Sequence, residues 1–150
     1  QRYRSPDGTF ALDIPTHWRP FPPVRTNSPF EVIRFASYRD GSHLLIIFRG
    51  RFGPRQTLDE RCAHVQSILR DKGFGNFASA DTAIGPRAAR TLDFDRPQGS
   101  ATWSCREYFL TEGRVTYTLG FGTTNKAGMF DLYDRIAQSF EILEQDQAAA

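Results

Sequence analysis

Residues 101–142 read ATWSCREYFLTEGRVTYTLGFGTTNKAGMFDLYDRIAQSFEI, and a change of period inside this stretch decides the fold. From Ala101 to Gly113 and from Arg114 to Gly122, bulky residues alternate with small or polar ones. This is the two-residue period of strands, and Glu112 with Gly113 supply a short hairpin connection between them. From Lys126 onward Phe130, Tyr133, Ile136, Ala137 and Phe140 recur at three- and four-residue spacing, which places them on one stripe of a helix. A helix with a single apolar stripe needs a sheet to cover, and a short strand after it closes the unit.

Working outward, the rest of the chain supplies that sheet. Along the first strand Ala101, Trp103, Cys105, Glu107 and Phe109 share one side, and Thr102, Ser104, Arg106, Tyr108 and Leu110 the other; Trp103 and Cys105 are expected to face inward. Upstream, Phe74–Ile84 and Arg87–Arg96 read as two further extended runs around Gly85-Pro86, and Pro97-Gln98-Gly99 turns into Ala101. Phe30–Ser37 and His43–Gly50 form another pair through Arg39-Asp40-Gly41-Ser42, where Asp-Gly is a hairpin cue. Leu44–Phe48 is apolar at every position, the pattern of a strand with two buried faces, which predicts at least one helix on each side of the sheet.

The first of those helices opens at Thr57-Leu58-Asp59-Glu60, a capping box. Its apolar stripe is Leu58, Cys62, Val65 and Leu69, and Gly73 stops it. Near the start, Phe10, Leu12 and Ile14 alternate as a half-buried strand ended by Pro15, and Trp18 is read as a plug over the core rather than a ligand-stacking platform. The prolines at 20, 22, 23 and 29 predict an extended surface loop over 19–29. Residues 144–150 are expected to be a disordered tail.

At 150 residues the chain fits one domain and can bury roughly 70% of its unfolded surface, enough for a core without metal or disulfide support. The net charge of +2 gives little long-range attraction, and the basicity is nearly all arginine, with Lys72 and Lys126 the only lysines. There is no run of about 18 apolar residues to span a membrane. A start at Gln1 rather than Met predicts removal of an upstream tag, signal peptide or lipoprotein leader; the expectation is an exported protein, periplasmic, extracytoplasmic or lipid-anchored through the missing N-terminus, with a cytoplasmic one as the alternative.

Candidate sites are sparse. Arg49, Arg51, Phe52 and Arg55 form the one basic and aromatic cluster, a protein-docking surface in the first reading and a contact for single-stranded nucleic acid in a lesser one. Gly120, Gly122, Thr123, Thr124 and Asn125 lie where a strand passes into a helix, a place where amides and a helix dipole hold phosphate. The dinucleotide fingerprint would need a third glycine at Asn125, and the phosphate loop would need Gly-Lys-Ser/Thr, so Asn125 is read first as a helix cap. An enzyme or anion-binding protein at this turn, with Arg106 or Arg114 as counter-charge, is the alternative function. Asp93 and Asp95 share a strand face but two carboxylates make a poor metal site. His17, His43 and His64 fall in separate segments with no triad context. Cys62 and Cys105 are too few for a disulfide scaffold or a zinc site; both are read on inward faces, where a disulfide between them is conceivable if their Cα atoms approach within about 4.4–6.8 Å. No cofactor, metal or nucleic acid is expected.

The order of elements resembles the PsbP-like family, which shares its fold with the yeast Ran-binding Mog protein and with small bacterial lipoproteins and secretion chaperones. The residues that carry the resemblance are Phe10-Ala-Leu-Asp-Ile-Pro15-Thr-His-Trp18, Glu107-Tyr108-Phe109, Val115-Thr-Tyr-Thr-Leu119 and Ile136-Ala-Gln-Ser-Phe140. They span nearly the whole chain and are packing motifs. The resemblance implies an α+β fold, an antiparallel sheet between helices in an α/β/α sandwich. It also implies a non-catalytic assembly, docking or chaperone role with a protein partner, and carries over no binding residues.

Overall fold

The computed structural model describes residues 1–37, 43–51 and 57–143. The elements run β1 (Arg2–Arg4), β2 (Phe10–Asp13), β3 (Trp18–Phe21), β4 (Glu31–Ser37), β5 (His43–Arg51), α1 (Leu58–Asp71), β6 (Gly75–Ile84), β7 (Arg87–Gln98), β8 (Ala101–Glu112), β9 (Val115–Thr123), α2 (Lys126–Gln138) and β10 (Glu141–Ile142). Seven strands make one antiparallel sheet in the order β3-β4-β5-β9-β8-β7-β6, and β1-β2-β10 make a small second sheet. The architecture is α+β, as the alternation and the two helical stripes predict.

Strands β6 to β9 form a meander closed by three two-residue loops, Gly85-Pro86, Gly99-Ser100 and Gly113-Arg114. Each opens on a glycine with φ between +57° and +62°, the backbone that the first position of a type II′ hairpin demands. The last loop therefore lies one residue beyond the predicted Glu112-Gly113, because Glu112 still pairs with Val115. The predicted 19–29 loop is also shorter than expected. Arg19, Pro20 and Phe21 belong to β3, where Pro20 faces Phe35 on the outermost strand of the sheet, a position at which a missing amide costs no ladder bond. The expected hairpin turn 39–42, Phe52, Arg55 and the expected tail 144–150 lie outside the described residues.

The two faces of the large sheet are covered differently. On one, α2 and the small sheet bury Phe10, Leu12, Phe35, Leu45, Ile47, Tyr117, Leu119, Phe121, Tyr133 and Phe140 in the main core. Trp18 is a plug, as expected: it is 2% exposed and its indole meets Tyr133 edge-on at 6.2 Å. On the other face α1 packs over β6, β7 and β8 and buries a smaller cluster of Cys62, Leu92, Phe94, Cys105 and Phe109. Thr57 caps α1 by accepting from the Glu60 amide, and Asn125 caps α2 by accepting from Gly128.

A partly buried ionic network ties α2 to the sheet. Arg106 grips Asp93 with two hydrogen bonds of 2.7 and 2.8 Å and reaches Asp134 on α2 at 3.0 Å, while the Tyr108 hydroxyl donates to the same Asp134 carboxylate. Asp93 is thus committed to a cross-strand ion pair, and Asp95 accepts from Asn76. The shared face of the two aspartates is a structural one.

Candidate functional site

Because α1 stops at β8, the same face of β9, β5 and β4 has no helix over it. The helix on each face is there, but β5 is not buried on both: Leu45 and Ile47 point into the core, whereas Leu44, Ile46 and Phe48 are only half-buried and line a groove of about 880 Å³. This corrects the reading of Leu44–Phe48 as a strand covered on both faces. The physical reason is width, since a helix of about 10–12 Å spans two to three strands spaced about 4.8 Å apart and leaves the rest of a seven-stranded sheet open.

Cross-strand register builds the floor. One row runs Arg34, Ile46, Gly120, Glu107 and Leu92 from β4 to β7; the next runs Ala36, Leu44, Gly122, Cys105 and Phe94. Two glycines at the centre of adjacent rows make the hollow. A Cβ on Gly122 would lie 2.3 Å from the Trp103 ring, and one on Gly120 would lie 3.1 Å from Glu107 Oε2. The missing side chains let the indole and the carboxyl lie flat on the sheet. One wall is the flank of α1 that carries Arg61, His64, Val65, Ile68, Leu69 and Lys72, and the opposite wall is 27–30, ending in Phe30. Groove volumes of this size, mostly apolar with a few placed polar groups, are typical of binding sites.

Glu107 is the one carboxylate among the groove residues, and it makes no hydrogen bond or ion pair within the described residues. Burial at the floor raises its pKa to about 7, against the pull of Arg61 and Lys72. Burial also lowers the Arg61 pKa, with Glu107 opposing.

The residues singled out from sequence are placed elsewhere. Gly120 and Gly122 are not in a turn but in β9, where they pair with β5 on one side and β8 on the other, so their amides belong to the ladder. Thr123 is fully buried, its hydroxyl accepting from the Asn125 amide and meeting His43 Nδ1 at 2.8 Å. Thr124 is exposed just before Asn125, whose side chain caps α2. Gly120, Gly122 and Thr123 thus end β9, and Thr124 and Asn125 lead into α2, so the five do not form a single turn. Arg49 lies on β5 on the core side, donating to the Tyr117 hydroxyl at 3.1 Å, and Arg51 is exposed at the strand end. These two arginines are not part of the groove.

Cys62 and Cys105 are free thiols, both buried in the α1 cluster. Cys62 sits against the Arg90 side chain, whereas Cys105 is paired with Phe94, four residues further along β7, a step of about 13 Å at strand rise. Burial raises the pKa of both thiols. Among the described residues no three His, Cys, Asp or Glu side chains gather as a metal site.

Sequence reasoning passed over Glu107, Ile46, Phe48 and the Ile68 flank of α1. The available signal was the register: Glu107 falls on the inward side with Trp103, Cys105 and Phe109, and the Gly-x-Gly of β9 faces the same side.

No family model and no curated protein matches this chain. Solved structures do. Cyanobacterial PsbP (CyanoP) from Synechocystis sp. PCC 6803 superposes with a TM-score of 0.75 at 15% identity, over 95% of this chain and 91% of that one. LpqN, involved in cell envelope biogenesis of Mycobacterium tuberculosis, gives 0.65 at 13% identity over 95% and 90%. A Bacteroides thetaiotaomicron protein gives 0.70 at 12% identity, over 97% of this chain and 49% of its own length. With the sheet order, the two helices and the packing motifs all in agreement, the chain has a PsbP-like fold.

Proposed function

We propose that this domain is a non-catalytic accessory module that binds a protein partner within a larger assembly, and that the groove beside α1 is its binding face. The observation that carries the reading is the open half of the sheet: Leu44, Ile46 and Phe48 form a half-buried apolar floor between two walls, each with an exposed large hydrophobic residue, Phe30 and Ile68. Exposed apolar surface rimmed by polar groups marks interaction sites. The PsbP-like neighbours support an accessory role, and the part of LpqN in cell envelope biogenesis supports export. Among the described residues no helix is long and apolar enough to cross a membrane.

Photocrosslinking in the native host tests this. A benzoylphenylalanine at Ile68 is expected to yield a protein adduct, and the same group at the exposed Asp131 on α2, on the opposite face, is not. A domain that gives no protein adduct from Ile68, or the same adducts from both positions, does not use the groove for a partner.

A further inference from the structure

The groove has the dimensions of a missing helix. α1 occupies the layer above β6 to β8, and β9, β5 and β4 continue the same sheet beside it, a strip of roughly 14 Å at about 4.8 Å per strand. One helix, about 10–12 Å across with its side chains, fills that strip. The backbone amides and carbonyls of β4, β5 and β9 are already used in their ladders, so the floor offers side chains only. An extended segment laid on it would bury its own backbone groups without partners, whereas a helix satisfies them internally.

Charge then selects the kind of helix. Four cations border the groove: Arg34 on β4, Arg61 on α1, Lys72 at the α1 C-cap, and Arg96 on β7, with His64 beside them. Glu107, the one carboxylate among the described groove residues, lies at the floor. Arg34 is partly answered by Glu31, and Arg96 lies over the Phe74 ring at 4.5 Å. Arg61 and Lys72 are eleven residues apart on one flank, about 16 Å along the helix axis. One anionic head group on a lipid would meet only one of them. Carboxylates spaced along a second helix would meet both.

We propose that the groove receives an amphipathic helix of the partner protein, its apolar stripe on Leu44, Ile46 and Phe48 between Phe30 and Ile68, and its flank toward α1 carrying Asp or Glu opposite Arg61 and Lys72. The inference rests on the groove being the binding face, and it adds the chemistry of what binds there.

The test is a display selection on the folded domain with peptides of about 15 residues, roughly 22 Å of helix. Their apolar stripe is fixed as Leu and Phe at i, i+3, i+4 and i+7, and their flanks are randomised. Selected peptides are expected to carry Asp or Glu on one flank. Their affinity should fall about three- to tenfold on Lys72→Glu and on raising salt to about 0.5 M, the range for rim charge pairs. Ile68→Asp should abolish binding without lowering the melting temperature, since Ile68 is already 42% exposed. A selection that enriches Lys or Arg, shows no charge preference, or yields no binder sensitive to Ile68→Asp overturns the proposal. So does oleate binding in the groove where no peptide binds. If crosslinking from Ile68 captures a protein while the selection fails, the helix inference falls and the accessory reading stands; if both fail, both fall.

Discussion

Replacing Glu107 by Gln should stabilise the protein at alkaline pH and change little in acid. The carboxyl lies on an apolar floor with Gly120 on one side and Leu92 on the other, and burial raises its pKa from 4.5 to about 7. Below about pH 4 the native and unfolded chains both hold the proton, and Glu107 costs nothing. Between about 4.5 and 7 the unfolded chain has released a proton that the native state keeps, so stability falls as pH rises; above 7 the full penalty applies. The ceiling is about 3 kcal/mol, at 1.36 kcal/mol for each tenfold change in proton affinity. Access of water from the groove lowers this to about 1.5–2.5 kcal/mol, or roughly 4–8 °C in melting temperature for a chain of this size. Urea titrations of wild type and Glu107→Gln at pH 4, 6 and 8 measure it directly. Equal pH profiles for the two proteins would refute the assignment of a raised pKa to this carboxyl, and a variant less stable at pH 8 would show that the ionised form has a native partner.

Three other outcomes follow from the same geometry. Gly122→Ala should cost about 1–3 kcal/mol and shift tryptophan emission, because a Cβ 2.3 Å from the Trp103 ring forces the indole off the floor; Gly120→Ala, facing the movable end of Glu107, should cost less in the same urea assay. Asp134→Ala should cost about 1–2 kcal/mol by removing the α2 end of the Arg106 and Tyr108 network, read by thermal melting, and an unchanged transition would mean the network contributes nothing net. Cys62 and Cys105, 3% and 6% exposed with raised pKa values, should react with a thiol reagent at pH 8 only as fast as the protein opens; labelling of either in a native sample at the rate of a free thiol would contradict their burial.

An open groove of this kind constrains how the domain can be used. Its apolar floor persists because α1 cannot slide over it: Leu58, Val65 and Leu69 are engaged with the cluster above β7 and β8. The groove is therefore fixed by packing, and its entrance lies between the Ile68 flank and Phe30, on the opposite side of the sheet from the tightly packed core. A partner that binds there covers a face the fold leaves exposed and leaves the main core intact.

Much of the architecture was already written in local patterns. The switch of period between Gly122 and Phe130 distinguishes strand from helix, Thr57 and Asn125 mark helix starts, and the glycines at 85, 99 and 113 punctuate the meander, because each acts through neighbours a few residues away. The two sides of β8 were also legible, since alternation assigns Cys105 and Phe109 to one and Tyr108 and Leu110 to the other without knowledge of the partner strands. What sequence could not decide was coverage. Leu44 to Phe48 looks the same whether a helix or a groove lies above it, and Gly120 and Gly122 look like a turn until β5 and β8 pair on either side of them. Likewise Cys62 and Cys105 share an apolar environment, one from α1 and one from β8, which only the packing of helix on sheet brings together. Glu107 became a candidate for the same reason: its desolvation depends on two glycines and a helix flank far away in the chain. Local structure followed from the spacing of residues along the chain, whereas the site followed from how far one helix reaches across seven strands.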